Sequence, residues 1–320
     1  MANIINELKE KIKGKGLKIV FPESNDERIV EAAVRLAKEG LVNPILIKTD
    51  KGIPEKFDTS KCTIIDPKEY EEFDKMVEAF VLRRKGKATE EQARTMLLDE
   101  NYFGTMLVYL NKADGLVSGA CHSTGDTVRP ALQIIKTKPG IRRTFGYFLM
   151  VRDNEKYIFG DCAINPNPEA EDLAQFAIES AKAAEMFGIV PKVALLSFST
   201  NGSAKTEEAE KVLKATKLAQ EANSGYAIDG EMQFDAAFVP SVGIKKYPGS
   251  KVAGHANTFI FPDLNSGNIG YKIAQRLGGF EAMGPILAGL NSPVNDLSRG
   301  CDSEDAYNTS IITAAQSLLN

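Results

Sequence analysis

The sequence predicts an α/β protein of about two domains, with crossover units and a parallel sheet. Three observations carry that reading. The chain has 320 residues, and at roughly 150 residues per domain this makes about two. Short β-rich runs alternate with longer helical patterns, the order that crossover connections impose on parallel strands. The alternation breaks once, near residue 140, where two β-rich runs follow each other across a turn.

Residues 1–16 alternate charged and apolar positions like an amphipathic helix and lack the apolar core of a signal peptide. Leu17–Phe21 reads as a buried strand that Pro22 ends. Asp26 can cap the next helix, with Ile29, Ala33, Leu36 and Ala37 on its apolar face and Gly40 as its stop. Pro44–Lys48 and Cys62–Asp66 follow as strands, then helical patterns over Glu69–Arg84, Thr89–Asp99 and Tyr102–Leu110, then a strand over Ala113–Ser118. Thr144–Val151 and Tyr157–Cys162 form the break, a hairpin across Asp153-Asn154-Glu155-Lys156. Alternation resumes with helix Pro168–Phe187, strand Val193–Phe198, helix Lys205–Ala222, strands Ala236–Val239 and Thr258–Phe261, and helix Gly267–Leu277. The last helix spans about Ser303–Leu319, with Ile311, Ile312, Ala315, Leu318 and Leu319 on its apolar side.

Composition narrows the class. Apolar residues make up 43% and charged residues 26%, ordinary values that speak against a disordered or fibrous chain. A net charge of −4 argues against a general nucleic-acid binder. It does not exclude small anionic ligands, because a few placed arginines can make a cationic site on an acidic protein. Arginine is the scarcer cation, 11 against 28 lysines, and none lies between Arg152 and Arg276. Four scattered cysteines without a CxxC pair suggest reduced thiols in a cytoplasmic protein. With only His122 and His255, a histidine-based metal site is not expected. No run reaches the roughly 18 apolar residues of a membrane span.

Chemistry is expected where strands run into helices, because helix N-termini there present free N–H groups to anions. The junction Ser118–Asp126 holds Gly119, Ser123 and Thr124 and leads to Arg129; Ser123 or Thr124 would also serve as a plain helix cap. Its Cys121-His122 pair is a poor thiolate nucleophile, since adjacent residues usually point apart. Ser197–Thr206, with Ser199, Thr200, Gly202 and Ser203, is an anion seat in outline but lacks the Gly-Lys adjacency of a Walker A loop. Phe261–Lys272, with Asn268, is a third Gly-rich junction. Asn295–Asp305 is the fourth, where Ser298 and Arg299 precede a helix that Asp302 or Ser303 can cap. Asp305 would fall in its first turn, a place where a carboxylate can simply stabilise the helix. No G-x-G-x-x-G follows the first strand, which weakens a nicotinamide reading.

The run Ala113–Gln133, the second and third of these loops, Asp229-Gly230-Glu231-Met232-Gln233 and Asn295–Asp305 together resemble the phosphate acetyltransferase (phosphotransacetylase) family. The resemblance extends from Phe21-Pro22-Glu23 to the last helix. It implies two related three-layer α/β domains with a cleft between them, like the isocitrate/isopropylmalate dehydrogenase architecture. The chain would then divide into residues 1–140 plus 288–320 and residues 141–287, the C-terminal segment returning to the first domain so that Ser298-Arg299 faces the cleft. It implies a cytoplasmic homodimer that reversibly transfers an acetyl group between acetyl-CoA and phosphate, with coenzyme A as substrate and no tightly bound cofactor. The family's catalytic residues match Ser298, Arg299 and Asp305. Its substrate-binding arginines match Arg129 and Arg83, where a one-residue slip would exchange Arg83 with Arg84. Ser123, Thr124, Ser199, Thr200, Gly202, Ser203 and Asn268 would complete the substrate contacts.

The residue types suit that chemistry. Arginine offers a planar fork to phosphate oxygens, so Arg299 would meet the acyl phosphate, Ser298 would add a hydrogen bond, and Arg129 would hold phosphate or the charged part of CoA. As a general base, an unperturbed Asp305 near 3.9 faces a thiol near 8.5, a gap of about 4.6 units or roughly 6 kcal/mol. A helix N-terminus is expected to widen that gap, so either a closed cleft desolvates Asp305 and lowers the thiol pKa, or proton transfer accompanies attack; the second is favoured, with Arg299 lowering the thiol pKa. Direct transfer in a ternary complex is expected, and an acetyl-Cys121 intermediate is not. Alternatives are a phosphate butyryltransferase, a metal- and NAD-dependent decarboxylating dehydrogenase on a related scaffold, and a catalytically dead binding protein.

Overall fold

The computed structural model describes residues 2–222 and 224–319. They form two compact units, one made of residues 2–138 and 290–319 and the other of the described residues of 139–289.

The discontinuous unit holds a five-stranded, wholly parallel sheet in the order β11-β4-β1-β2-β3: β1 (Lys18–Phe21), β2 (Asn43–Ile47), β3 (Thr63–Ile65), β4 (Gly115–Ser118) and β11 (Val294–Asp296). Its helices are α1 (Ala2–Ile12), α2 (Glu27–Lys38), α3 (Phe73–Arg84), α4 (Glu90–Met96), α5 (Glu100–Tyr109), α6 (Thr124–Pro130) and α12 (Ser303–Ser317). Asp26 caps α2 by accepting from the Arg28 N–H, and Gly40 behind the helix takes φ +67, where glycine avoids a Cβ clash. Two faces of the sheet are read from single residues. A Cβ on Gly104 of α5 would meet Val20 and Leu116, so α5 packs on one face. A Cβ on Gly115 would meet Thr313 of α12, so α12 packs on the other. The chain runs outward from β1 through β2 and β3, then restarts on the far side of β1 with β4. Loops after β1 and β4 therefore meet at a topological switch point, where open α/β sheets bind ligands.

The central unit holds a six-stranded mixed sheet in the order β10-β5-β6-β9-β7-β8. Strands β5 (Phe145–Arg152) and β6 (Glu155–Gly160) are the hairpin, turning at Asp153 with φ +51. Strands β9 (Thr258–Ile260), β7 (Lys192–Leu196) and β8 (Ala227–Met232) continue in parallel from β6, and β10 (Glu281–Ala288) pairs antiparallel with β5. Helices α7 (Ala170–Met186), α8 (Glu207–Glu221), α9 (Phe234–Phe238), α10 (Pro240–Lys246) and α11 (Leu264–Arg276) complete it.

Several expectations differ from what the chain does. The segment 236–239, expected as a strand, belongs to a short helix with Ala236 and Ala237 buried and Phe234 and Phe238 exposed, followed by Pro240 at the first position of α10. A four-residue apolar run does not distinguish the two structures by itself. Leu318 and Leu319 lie beyond α12 and are exposed. Strands β8, β10 and β11 were not expected, and each is an edge strand. Among the described residues no helix is long and apolar enough to cross a membrane.

Candidate active site

The C-terminal edge of the parallel sheet in the discontinuous unit brings together the loops after β1, β4 and β11. Glu23, fully buried just past β1, sits under the loop after β4. Its carboxylate accepts the N–H groups of Gly119, Ala120, Cys121 and His122 at 2.7–3.0 Å and lies 2.7 Å from His122 Nδ1. Burial alone would raise this carboxyl, but His122 and the loop N–H groups outweigh it and hold Glu23 below its usual value. The same contact raises His122. The donors that a glycine loop would offer to a phosphate are thus occupied by the chain's own carboxylate. Gly119 is required here: its φ is +114, and a Cβ would fall 2.3 Å from Asp296 Oδ1 and 2.6 Å from the Leu297 backbone.

Arg28 joins all three loops. It donates to the carbonyls of Ala120 at 3.0 Å, Arg299 at 3.0 Å and Cys301 at 2.8 Å, and grips Asp26 at 2.7 and 2.9 Å. That guanidinium holds Asp26 down at about 2. Cys121 Sγ lies 3.2 Å from Asp26, and loss of hydration together with that carboxylate pushes its thiol up to about 12. A thiol held that high is a poor nucleophile at neutral pH.

Ser298 and Arg299 are exposed in the loop after β11. Ser298 Oγ accepts the Gly300 N–H at 3.2 Å, and the Arg299 guanidinium has no ion pair among the described residues. Asp305 occupies the first turn of α12 in a capping box. Its N–H donates to Asp302 at 2.8 Å, and its carboxylate accepts the Asp302 N–H at 3.1 Å. The helix start does not lower its pKa, contrary to expectation. Loss of hydration, with the Asp302 and Glu304 charges, outweighs the Asp302 N–H and raises Asp305.

Ser123 caps α6, accepting the Asp126 N–H at 3.3 Å and donating to its carboxylate at 2.6 Å. Thr124 donates to Asp296 at 2.7 Å. Arg129, in the last turn of α6, is exposed and 3.8 Å from Asp126. Arg83 is committed elsewhere: it donates at 2.6 and 2.9 Å to the carbonyls of Ile134 and Ile135, which end the π-helical turn Ala131–Ile135, and lies over the Tyr109 ring. Its neighbour Arg84 has a buried Nε without a partner and acts with Arg129 on the Tyr102 hydroxyl. Arg84, and not Arg83, thus shares with Arg129 an electrostatic influence on Tyr102.

In the central unit, buried Glu231 accepts Ser199 Oγ at 2.9 Å and the Gly202 N–H at 2.7 Å. Ser203 Oγ accepts the Thr200 N–H at 3.0 Å, and Thr200 exchanges hydrogen bonds with Gln233. Asn268 donates to the Cys162 carbonyl at 3.2 Å and accepts from Lys272 at 2.9 Å. Here too, a carboxylate of the chain fills the cradle of a polar loop. Among the described residues no group of three or more His, Cys, Asp or Glu side chains could hold a metal ion.

Residues 3–314 match the family described as Phosphate acetyl/butaryl transferase. The chain belongs to that family. It is 61% identical to phosphate acetyltransferase of Bacillus subtilis (strain 168), covering 99% of this chain and 100% of that one. It is 59% identical to phosphate acetyltransferase of Staphylococcus aureus (strain COL), with 99% and 100% covered. A solved phosphotransacetylase from Streptococcus pyogenes superposes with a TM-score of 0.98 at 59% identity, covering 100% and 99%. For a phosphate acetyl/butaryl transferase, the charge layout of this edge is informative. The carboxylates of Glu23 and Asp296 are buried and bonded inward, while Arg129 and Arg299 are exposed and face outward with few partners. Sequence reasoning passed over Glu23, Arg28 and Asp296, and read Asp26 only as a helix cap. The one available signal was Arg28, a scarce arginine two residues past a helix cap.

Proposed function

We propose that this chain catalyses reversible acetyl transfer between acetyl-CoA and inorganic phosphate. The observation that carries the reading is Arg299 beside Ser298, exposed and without an ion pair among the described residues, on a loop whose carbonyls Arg28 holds. A guanidinium so placed is ready to meet phosphate oxygens without first breaking an ion pair. In the acetyl-CoA-forming direction the CoA sulfur attacks the acetyl carbonyl of acetyl phosphate, the carbon–oxygen bond to phosphate breaks, and phosphate leaves. Asp305 takes the thiol proton, Arg299 stabilises charge on the acyl phosphate, and Ser298 adds a hydrogen bond there. The deciding experiment mixes purified protein with acetyl phosphate and CoA and follows thioester absorbance, with butyryl phosphate in parallel. Faster turnover of the acetyl compound supports the reading, and no thioester from either sinks it.

Arg129 and Arg84 are proposed to hold the charged parts of CoA. Arg84→Gln and Arg129→Gln should each raise the KM for CoA about tenfold or more, as loss of one charge-assisted contact of roughly 1.5–3 kcal/mol requires. Arg83→Gln should instead lower the unfolding midpoint, because it removes the Arg83 bonds to two helix-end carbonyls and leaves only that of Ile135 with a second donor, Asn291. A CoA effect confined to Arg83→Gln reverses the assignment. In the central unit, Ser199, Thr200, Gly202, Ser203 and Asn268 are proposed to contact substrate with the polar groups that their own loops leave free.

Transfer is proposed to be direct. Cys121→Ala should keep kcat within about threefold of the parent, and initial-rate plots should intersect instead of running parallel as a covalent intermediate demands. A homodimer is proposed on the stripe Ile269, Ile273 and Leu277 along α11, exposed at helical spacing. Four unpaired cysteines suit the cytoplasm.

A further inference from the structure

Asp296 is the last residue of β11, only 2% exposed, two positions before Ser298 and three before Arg299. Across the sheet it is in register with Ser118, so the two side chains leave the same face. Asn295, one residue earlier, leaves the opposite face and donates to Thr313 and Gln316 of α12. Asp296 Oδ2 accepts a 2.7 Å bond from Thr124 Oγ1, on the first residue of α6. Oδ1 has no partner among the described residues. Thr127, one turn further on, approaches the carboxylate without the geometry of a hydrogen bond.

A carboxylate in this position is unfavourable. Burial, with the charge of Glu23 near it, pushes Asp296 up to about 6, and Thr124 offsets only part of that. The ladder between β11 and β4 needs no charged side chain, so pairing the strands does not explain its presence. Its one strong contact reaches the helix that carries Arg129 in its last turn, while the chain beyond it leads straight to Ser298 and Arg299.

We propose that Asp296 is a positioning residue for acetyl transfer, setting through Thr124 the spacing between Arg129 and the Ser298–Arg299 pair. It touches neither substrate. The Thr124 hydroxyl accordingly serves Asp296 instead of a ligand. The inference rests on the roles proposed above for Arg129 and Arg299. A displacement of about 1 Å in such groups can cost on the order of 10²-fold in rate, which makes a single well-placed bond measurable.

The test is kcat and KM for Thr124→Val, Thr124→Ser, Asp296→Ala and the double variant Thr124→Val/Asp296→Ala, with unfolding midpoints alongside. Thr124→Val and Asp296→Ala should each lower kcat about 10–100-fold while KM stays within about threefold. The double variant should be no worse than the worse single, since both changes break one contact. Thr124→Ser, which keeps the hydroxyl, should recover most of kcat. Losses that add, a normal kcat in Thr124→Val, or a raised KM at unchanged kcat overturn the proposal; the last is what a substrate-binding hydroxyl gives. Should Asp296→Ala fail to fold, the contrast between Val and Ser at position 124 decides alone. Arg129→Gln and Arg299→Gln are run in parallel. If both keep full activity, the arginine roles fail; if they lose activity and Thr124→Val does not, only this inference fails.

Discussion

Arg299→Gln is expected to lower kcat by about 10²–10³-fold, the 2.7–4 kcal/mol that removing one transition-state donor typically costs. Folding should be almost untouched, with stability within about 0.5 kcal/mol of the parent, as for exposed positions away from structural features. Both halves of this expectation come from the same geometry. The Arg299 side chain is exposed and has no ion pair among the described residues, so its loss leaves none of them without a charge partner. The loop conformation depends on Arg28, which holds the carbonyls of residues 299 and 301 from outside. Arg299→Lys keeps the charge but not the planar fork, and should fall between Gln and the parent. Steady-state kinetics with acetyl phosphate as the varied substrate, beside a thermal melt, measures both. A variant with parental kcat removes Arg299 from the chemistry. One with a sharply lowered melting temperature makes its role structural.

Interior elements of the fold were legible for a simple reason. Strands β1, β2, β4, β7 and β9 are short apolar runs bounded by turn residues, and the helices between them carry caps such as Asp26, Ser123, Thr206 and Asp302. The edge strands β8, β10 and β11 were not, although the edge strand β3 was, within Cys62–Asp66. Strand β10 contains Gly284-Pro285, which argues against a strand anywhere but at an edge, where the missing N–H harms no ladder; its register shifts between Met283 and Ile286. Strand β8 carries Asp229, Gly230 and Glu231, residues that strands disfavour, because its end delivers Glu231 to the Ser199–Gly202 loop. Strand β11 is three residues long and two of them are polar, Asn295 bonded to α12 and Asp296 to α6.

The same limit applied to the site. Exposed residues on a loop with a distinctive order, Ser298 and Arg299, could be singled out from sequence. The residues that hold them could not, because their roles depend on contacts across about 90 to 270 positions: Glu23 to the loop after β4, and Arg28 to the loop after β11. Local reading also could not see what the polar loops already hold. Ser, Thr and Gly at a strand–helix junction look alike whether they await an anion or already enclose one. Glu23 and Glu231 supply that anion from elsewhere in the chain.

Asp305→Asn should lower kcat at least about 100-fold, the lower range for general acid–base catalysis, with little change in KM. The substitution is mild for the fold. An asparagine oxygen can still accept the Asp302 N–H, so the capping box at the start of α12 keeps both its bonds. The sign of the electrostatic effect points the same way. Asp305 is raised above its usual value in the folded chain, chiefly by loss of hydration and then by the charges of Asp302 and Glu304. Between the ordinary aspartate value and that raised value, the folded state binds more protons than the unfolded state. Ionised Asp305 therefore opposes folding once pH exceeds that window, and stability falls as pH rises through it. Asparagine removes the penalty, so the variant should be no less stable than the parent at neutral pH despite its lost activity. Catalysis depends on pH in the opposite sense, since the base must be ionised to accept the thiol proton. In the parent, kcat should fall as pH drops through the raised Asp305 value, and that acid limb should be absent from the residual activity of Asp305→Asn. The raised value also narrows the gap to the thiol, so Arg299 needs to contribute less toward proton transfer than an unshifted aspartate would require. A pH–rate profile of the two proteins, with melts at each pH, separates the outcomes. Parental turnover in the variant, or an unchanged acid limb, assigns the proton to another group and leaves Asp305 as a helix cap.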